Sequence, residues 1–353
     1  MNKIFAFLIA SLLFVSCSSD DQSPIDVANE KGITFEITTI NKAAEGLKAG
    51  TPLYSQEAVQ HVSRVDIHAF VKNGADYTYV RTYSIFDWAD GSTFRRFTID
   101  PDQEVPAGDY KFLAVGRGSD MYTITTFDNT VKFQDVAASI AAAGDESEIF
   151  AGSAQAQVLE SGTRVSLEIT RKVAGVLGYF KNIPETLNGS TVKYLRLSVA
   201  ATNSQVNLST GIGSSNLAAV HNLINIDLTG QGTTGGIFNG IDLSGAGVAT
   251  LPNSQLGGAF IIPISSASLT LGLYDASNVA IKTWVVKSGS ATVFDLVANN
   301  FYSLGLKTKA STTNGTDPAD PNDDDQAIDL LTDETLTITI TPTWSTLHNL
   351  TLQ

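Results

Sequence analysis

Apolar and polar residues alternate with a period of two along much of this 353-residue chain. That period marks half-buried β-strands. In GITFEITTI, Ile33, Phe35 and Ile37 share one face, and Thr34, Glu36 and Thr38 share the other. RVDIHAFVK sets Val65, Ile67, Ala69 and Val71 together, which places His68 on the less buried face. In VPAGDYKFLAVG, Pro106 and Gly108 make a turn into a strand that groups Tyr110, Phe112 and Ala114. IFAGSAQAQVLESG closes the first half. The second opens with TRVSLEITRKVAGVLGYFKNIP, where Val165, Leu167 and Ile169 alternate before a nearly continuous apolar run. Further strands are predicted in VKYLRLSVAA, GAFIIPISS, SLTLGLYD, AIKTWVVK, FYSLGLK and TLTITITPTW. One helix is predicted, DVAASIAAAG, ended by Gly144. The alternating helices of a βαβ fold are missing, so the predicted class is all-β, built as sandwiches.

The pattern breaks at the N-terminus. Lys3 precedes an apolar core from Ile4 to Val15, then Ser16 and Cys17, which together read as a secretory signal peptide. The core is too short for a membrane-spanning helix, which needs roughly 20 residues. Cys17 is the sole cysteine. With Phe14, Val15 and Ser16 before it, it resembles a bacterial lipoprotein box, although Phe14 stands where leucine is usual. A thiolate is the nucleophile such lipidation needs, and several acyl chains, at about 0.8 kcal/mol per buried methylene, hold where one does not. An ordinary signal peptide with an incidental cysteine is the alternative.

The polar residues that follow, with Pro24, suit a flexible tether. The stretch from Gly211 to Gly258, rich in Gly, Ser and Asn, is expected to form long exposed loops with short strands between them. STTNGTDPADPNDDDQ reads as a mobile acidic loop at 311–326. The division expected is a signal peptide at 1–16, a tether at 17–30, an N-terminal β-sandwich at 31–160 and a C-terminal β-sandwich at 161–353.

Composition narrows the function. A net charge of -14 argues against nucleic acid and against direct adhesion to anionic lipid, because both require clustered Lys or Arg. The membrane is then reached through the lipid on Cys17 alone. About 337 residues after the signal peptide are enough for two ordinary domains. Without disulfides, stability rests on sheet packing.

Catalytic constellations are not found. GQGTTG at 230–235 matches a dinucleotide fingerprint formally, but GIFNGIDLSG after it cannot make the helix that would hold a pyrophosphate. Ser190 and Lys193 match Ser-x-x-Lys at a frequency expected by chance, without the accompanying motifs. His61, His68, His221 and His348 are scattered, with no zinc-ligand spacing. Asp317, Asp320, Asp323, Asp324 and Asp325 offer hard oxygen ligands, but lack the glycine-assisted spacing of a calcium loop. Trp88, Trp284 and Trp344 are weighed as sugar platforms against places in a core or rim. No cofactor, no metal and no enzymatic activity are expected.

The segments TRVSLEITRKVAGVLGYFKNIP, NNFYSLGLKTK and AIDLLTDETLTITITPTW together resemble the fimbrillin-like lipoproteins of Bacteroidota, in particular the minor-subunit and anchor branch of their type V pili. The order of pieces carries the resemblance: lipoprotein box, alternating first strand, RVDIHAF, PAGDYKFLAVG, IFAG, Arg-x-x-Ala, Asn-x-Phe-Tyr-Ser and a terminal Thr-Trp strand. It implies two transthyretin-like β-sandwiches in tandem. It also implies that Ser19, Asp20 and Asp21, just after the lipid cysteine, act as a signal for export to the outer leaflet. The resemblance places the protein as a surface-exposed outer-membrane lipoprotein of a fimbrium.

In that family, stalk subunits lose their first strand to an Arg-specific protease, and the C-terminal strand of the next subunit fills the groove. Strand addition of this kind satisfies unpaired backbone groups and an uncovered apolar face. Anchors keep the first strand. Between Cys17 and Arg64 this chain has no arginine; its basic residues there are Lys31, Lys42 and Lys48. The expectation is therefore an anchor or accessory subunit with a retained first strand at Ile33, Phe35 and Ile37. A C-terminal strand at Ile338, Ile340 and Trp344 is expected to make subunit contacts. Partners would be other fimbrial subunits, by donor-strand exchange, and an adhesion ligand on host or bacterial cells. Cleavage at Lys42, Lys48 or Arg64 would instead make it a matured stalk or tip subunit. A surface glycan-binding lipoprotein of a nutrient-uptake system is the other reading.

Overall fold

A computed structural model describes residues 32–39, 53–56, 61–86, 88, 94–141, 146–308 and 325–344. Among these residues the regular structure is β, with three short 3-10 turns and no α-helix. The first half contributes β1 (Ile33–Thr39), β2 (Arg64–Asn73), β3 (Asp76–Ile85), β4 (Phe94–Thr98), β5 (Gly108–Arg117), β6 (Thr123–Ile124), β7 (Ala137–Ser139), β8 (Ile149–Val158) and β9 (Thr163–Arg171). β10 (Ala174–Lys181) follows after two residues.

Two layers face each other across the first core. One has the order β4-β1-β9 and the other β3-β2-β5-β8. They join at a corner where Phe150 pairs with Arg171 and Ala151 with Thr170. The alternation read from the sequence supplies that core: Ile33, Phe35 and Ile37 meet Val65, Ile67 and Ala69, Tyr110, Phe112 and Ala114, and Val165, Leu167 and Ile169. β9 pairs in parallel with β1 over its whole length. A division at 160 would therefore separate strands that share one layer.

β2, β5 and β8 are covered on both faces. Behind them Phe70, Leu113, Val115 and Ala151 pack on Tyr122, Val136 and Ala138, and on Val206, Leu208 and Ile262 from the second half. This second covering overturns two expectations. His68, assigned to the less buried face, is 4% exposed, because its face of β2 also meets a core. DVAASIAAAG, expected as a helix, contains β7. Ala137, Ala138 and Ser139 pair with Asn207, Val206 and Gln205, so a neighbouring strand overrides alanine's helix preference.

In the second half β10 lies between Ser254–Ile261, antiparallel, and Phe301–Leu304, parallel, with Thr339–Thr341 beyond the latter. The facing sheet holds His221–Asp227, Tyr194–Val199, Leu269–Tyr274, Ala280–Lys287 and Leu336–Thr337. The nearly continuous apolar run of β10 follows from burial on both sides. Val176 and Phe180 enter the core between the sheets, while Leu177 and Tyr179 enter a second cluster with Leu53, Val248, Leu256, Phe301 and Trp344. The GQGTTG stretch is part of a β-hairpin, Thr233–Thr234 with Ile237–Phe238, turned by Gly235 and Gly236 at φ 62° and 79°.

Candidate functional site: the first strand, the C-terminal strand and their junction

β1 is the middle strand of its layer. It pairs with β4 antiparallel, Phe35 opposite Phe97, and with β9 in parallel, Phe35 opposite Val165. Ile33, Phe35 and Ile37 are at most 1% exposed. The Phe35 ring meets Phe112 edge-on at 5.0 Å and Tyr83 at 5.9 Å. On the outer face the Glu36 carboxylate accepts from Arg96 Nη2 at 2.7 Å. At the start of the strand the backbone N–H of Ile33 donates to Glu104 Oε1 at 3.1 Å. Without β1, the inner edges of β4 and β9 would lose their hydrogen-bond partners and the first core one wall. Burying its three apolar side chains is worth about 1.5 to 3 kcal/mol each.

Arg64 opens β2 opposite Arg117 of β5 and Nε binds Asp66 at 2.8 Å; its guanidinium also lies over Phe86 at 4.7 Å. Backbone held in a ladder in this way is a poor protease substrate.

At the other end of the chain, Ile338 is buried and Ile340 half-buried, both against the core between the two sheets of the second half. Thr339–Thr341 pairs with Phe301–Leu304 and is an edge strand of its sheet. Trp344 is 1% exposed and packs on Phe301 at 4.9 Å and Phe260 at 5.8 Å. Its indole N–H donates to the Gln56 carbonyl at 2.9 Å. An added Cβ on Gly175 would sit 2.7 Å from this ring, so only glycine allows the approach. The three expected contact residues thus face their own chain.

Trp344 also reaches the first half. The Arg171 guanidinium, at the end of β9, lies 4.2 Å from the indole centre and 5.0 Å from that of Phe150. Arg171 Nε donates to Glu148 Oε1 at 2.5 Å, and Glu148 Oε2 meets His61 Nδ1 at 3.0 Å. Burial alone would raise the Glu148 carboxyl, but the Arg171 charge and the His61 contact outweigh it and hold the pKa below the usual value. Gln56 ties the junction to the second half: its N–H donates to the Lys307 carbonyl at 2.8 Å. No role for Arg171, Glu148, His61 or Gln56 was legible in the sequence. The one trace was the Arg-x-x-Ala element, in which Arg171 precedes Ala174.

The tryptophans are not platforms. Trp88, Trp284 and Trp344 are buried at 4%, 4% and 1% exposure. Asp325 pairs with Lys307 Nζ at 2.8 Å, both side chains almost wholly buried. The other four loop aspartates lie outside the described residues. Among the described residues no group of three or more His, Cys, Asp or Glu is placed to hold a metal. Cys17, Ser19, Asp20, Asp21, Lys31, Lys42, Lys48 and His348 also lie outside the described residues.

The described chain is all-β, with its first strand inside a layer and its C-terminal strand packed on its own core. The chain belongs to the family of fimbrillin-A associated anchor proteins Mfa1 and Mfa2, whose model it matches over residues 33–346. Its role is that of a structural fimbrial subunit at the cell surface, among other fimbrial subunits, and not that of an enzyme. Solved structures are similar at low identity, among them the following two. A candidate adhesin from Bacteroides thetaiotaomicron has a TM-score of 0.48 and 11% identity, covering 90% of this chain and 98% of that one. The fimbrial anchor protein Mfa2 from Porphyromonas gingivalis has a TM-score of 0.44 and 12% identity, covering 77% and 90%. No curated protein matches the chain.

Proposed function

We propose that this protein is the lipid-anchored base or accessory subunit of a fimbrium, a subunit that fills its own first-domain groove. The observation that carries this reading is the place of β1 in the middle of its layer, hydrogen-bonded on both sides. The absence of arginine between Cys17 and Arg64 supports it, as does the pairing of Arg64 within β2. Cys17 takes the lipid, and Ser19, Asp20 and Asp21 direct the lipoprotein outward. The two halves act as tandem sandwiches tied by the Trp344 junction.

Contact with a neighbouring subunit runs through the C-terminal strand. Because Ile338 and Trp344 are buried in their own chain, we infer that the neighbour first meets the backbone edge of Thr339–Thr341. Strand addition there extends an existing sheet. N-terminal mapping of the mature protein by mass spectrometry tests the reading. A chain beginning at lipidated Cys17 and retaining Ile33 to Thr39 is expected. A mature start near Ala43, Ala49 or Val65 would make the protein a stalk-type subunit.

A further inference from the structure

The inner face of β1 does not by itself fix its register. Moving the strand by two residues keeps every inward side chain inward, since the side-chain period is two. Phe35 adds a preference by size, through its contacts with Phe112 and Tyr83. The outer face, Thr34, Glu36 and Thr38, is where such a slip changes chemistry.

In the observed register Glu36 stands between Arg96 on β4, directly opposite, and Ser166 on β9. Its Oε1 accepts from Arg96 Nη2 at 2.7 Å and Nε at 3.1 Å, and Arg164 Nε lies 3.6 Å away. A slip that moves Glu36 to the place of Thr38 sets it beside Glu168 and opposite Phe94. Two carboxylates then face each other on adjacent strands. A slip the other way moves it to the place of Thr34, which is 3% exposed and has its hydroxyl 3.2 Å from that of Thr98. There a carboxylate would be buried opposite Thr98 and beside Arg164, without the two-nitrogen contact from Arg96, so one partly exposed cation would be set against the cost of burying the charge.

We propose that the cleft between β4 and β9 selects the strand that fills it by an acidic residue at the strand's centre, read by Arg96 and Arg164. The strand it accepts has apolar side chains at three alternate inward positions and a carboxylate on the outer face between the second and third. β1 meets this description, and a strand from another subunit would have to meet it to replace β1. The inference rests on the reading of β1 as the chain's own filling strand, but its test does not depend on how the N-terminus is processed.

The register is measured by disulfide trapping in the full chain with Cys17→Ser. Thr34→Cys with Thr98→Cys reports the observed register. Thr34→Cys with Ser166→Cys reports the first slip, and Thr38→Cys with Ser166→Cys the second. Neighbouring-strand positions are within disulfide reach. With Glu36 present, only the first pair is expected to cross-link. Glu36→Thr or Glu36→Lys should raise the slipped fraction on the order of tenfold, the size of effect that two partly exposed ion pairs and one repulsion can produce. Glu36→Lys combined with Arg96→Glu and Arg164→Glu should restore the single register. If Glu36→Thr does not accumulate, the lysine variant against the triple variant decides alone. Slipped cross-links that stay at the background level in the single variants, or that are as frequent in the triple variant as in Glu36→Lys, would overturn the proposal.

Discussion

Arg171 at the end of β9 lies over the ring of Trp344 near the end of the described chain, its guanidinium carbon 4.2 Å from the indole centre. One residue pair thereby joins the strand layer that holds β1 to the C-terminal strand. Glu148 balances the arginine's charge and Gly175 leaves room for the ring. A buried guanidinium over a ring and paired in this way is worth more than an exposed one, because water does not compete for it.

Trp344→Ala should destabilise the protein by about 3 to 5 kcal/mol, the usual cost of removing a buried tryptophan. Urea denaturation measures it. Trp344→Leu and Arg171→Met should be strongly non-additive in a double-mutant cycle, since each removes the same contact. Additive effects would mean that the two halves are not coupled through this pair.

Phe35→Ala should cost about 3 to 5 kcal/mol, and Phe35→Leu distinctly less, because leucine keeps most of the apolar volume between Phe112 and Tyr83. The check is the denaturation midpoint together with protease sensitivity in β1. A change at Phe35 that left both unaltered would mean that β1 does not wall the first core.

Acid should weaken the protein through His68. Burial, opposed by Asp66 and reinforced by Arg117 and Arg64, lowers its pKa to about 4 in the folded chain. Above pH ~6.5 the imidazole is neutral in both states and its full stability is present. As pH falls from there toward 4, the unfolded chain takes up a proton that the folded chain refuses. Stability is then lost, by up to roughly 3 kcal/mol. His68→Gln should flatten the stability profile between pH 6.5 and 4, as followed by urea denaturation at stepped pH.

Cys17→Ala should release the protein from membranes or block its processing. Fractionation of cells and the mass of the mature N-terminus give the result. A wild-type chain without acyl groups, or with another first residue, contradicts lipidation.

Asp20→Ala with Asp21→Ala should leave the lipoprotein in the membrane yet shield it from protease added outside the cell. Unchanged digestion of intact cells would reduce the acidic pair to a tether.

By itself the sequence determined the strand content and most of the first core. Period two is a local property: Ile33, Phe35, Ile37, Val165, Leu167 and Ile169 all lie where alternation put them. Tertiary structure decided what alternation cannot express. His68 is buried because β2 has a core on each side, and a one-sided pattern does not reveal a second covering layer. Ala137 to Ser139 are a strand because Thr202–Asn207 lies alongside to pair with them, some 65 residues away in sequence. The junction was hidden for the same reason. Arg171, Glu148, His61, Gln56 and Trp344 are distant in the chain, and only packing gives a buried arginine an acid to pair with and a ring to lie on.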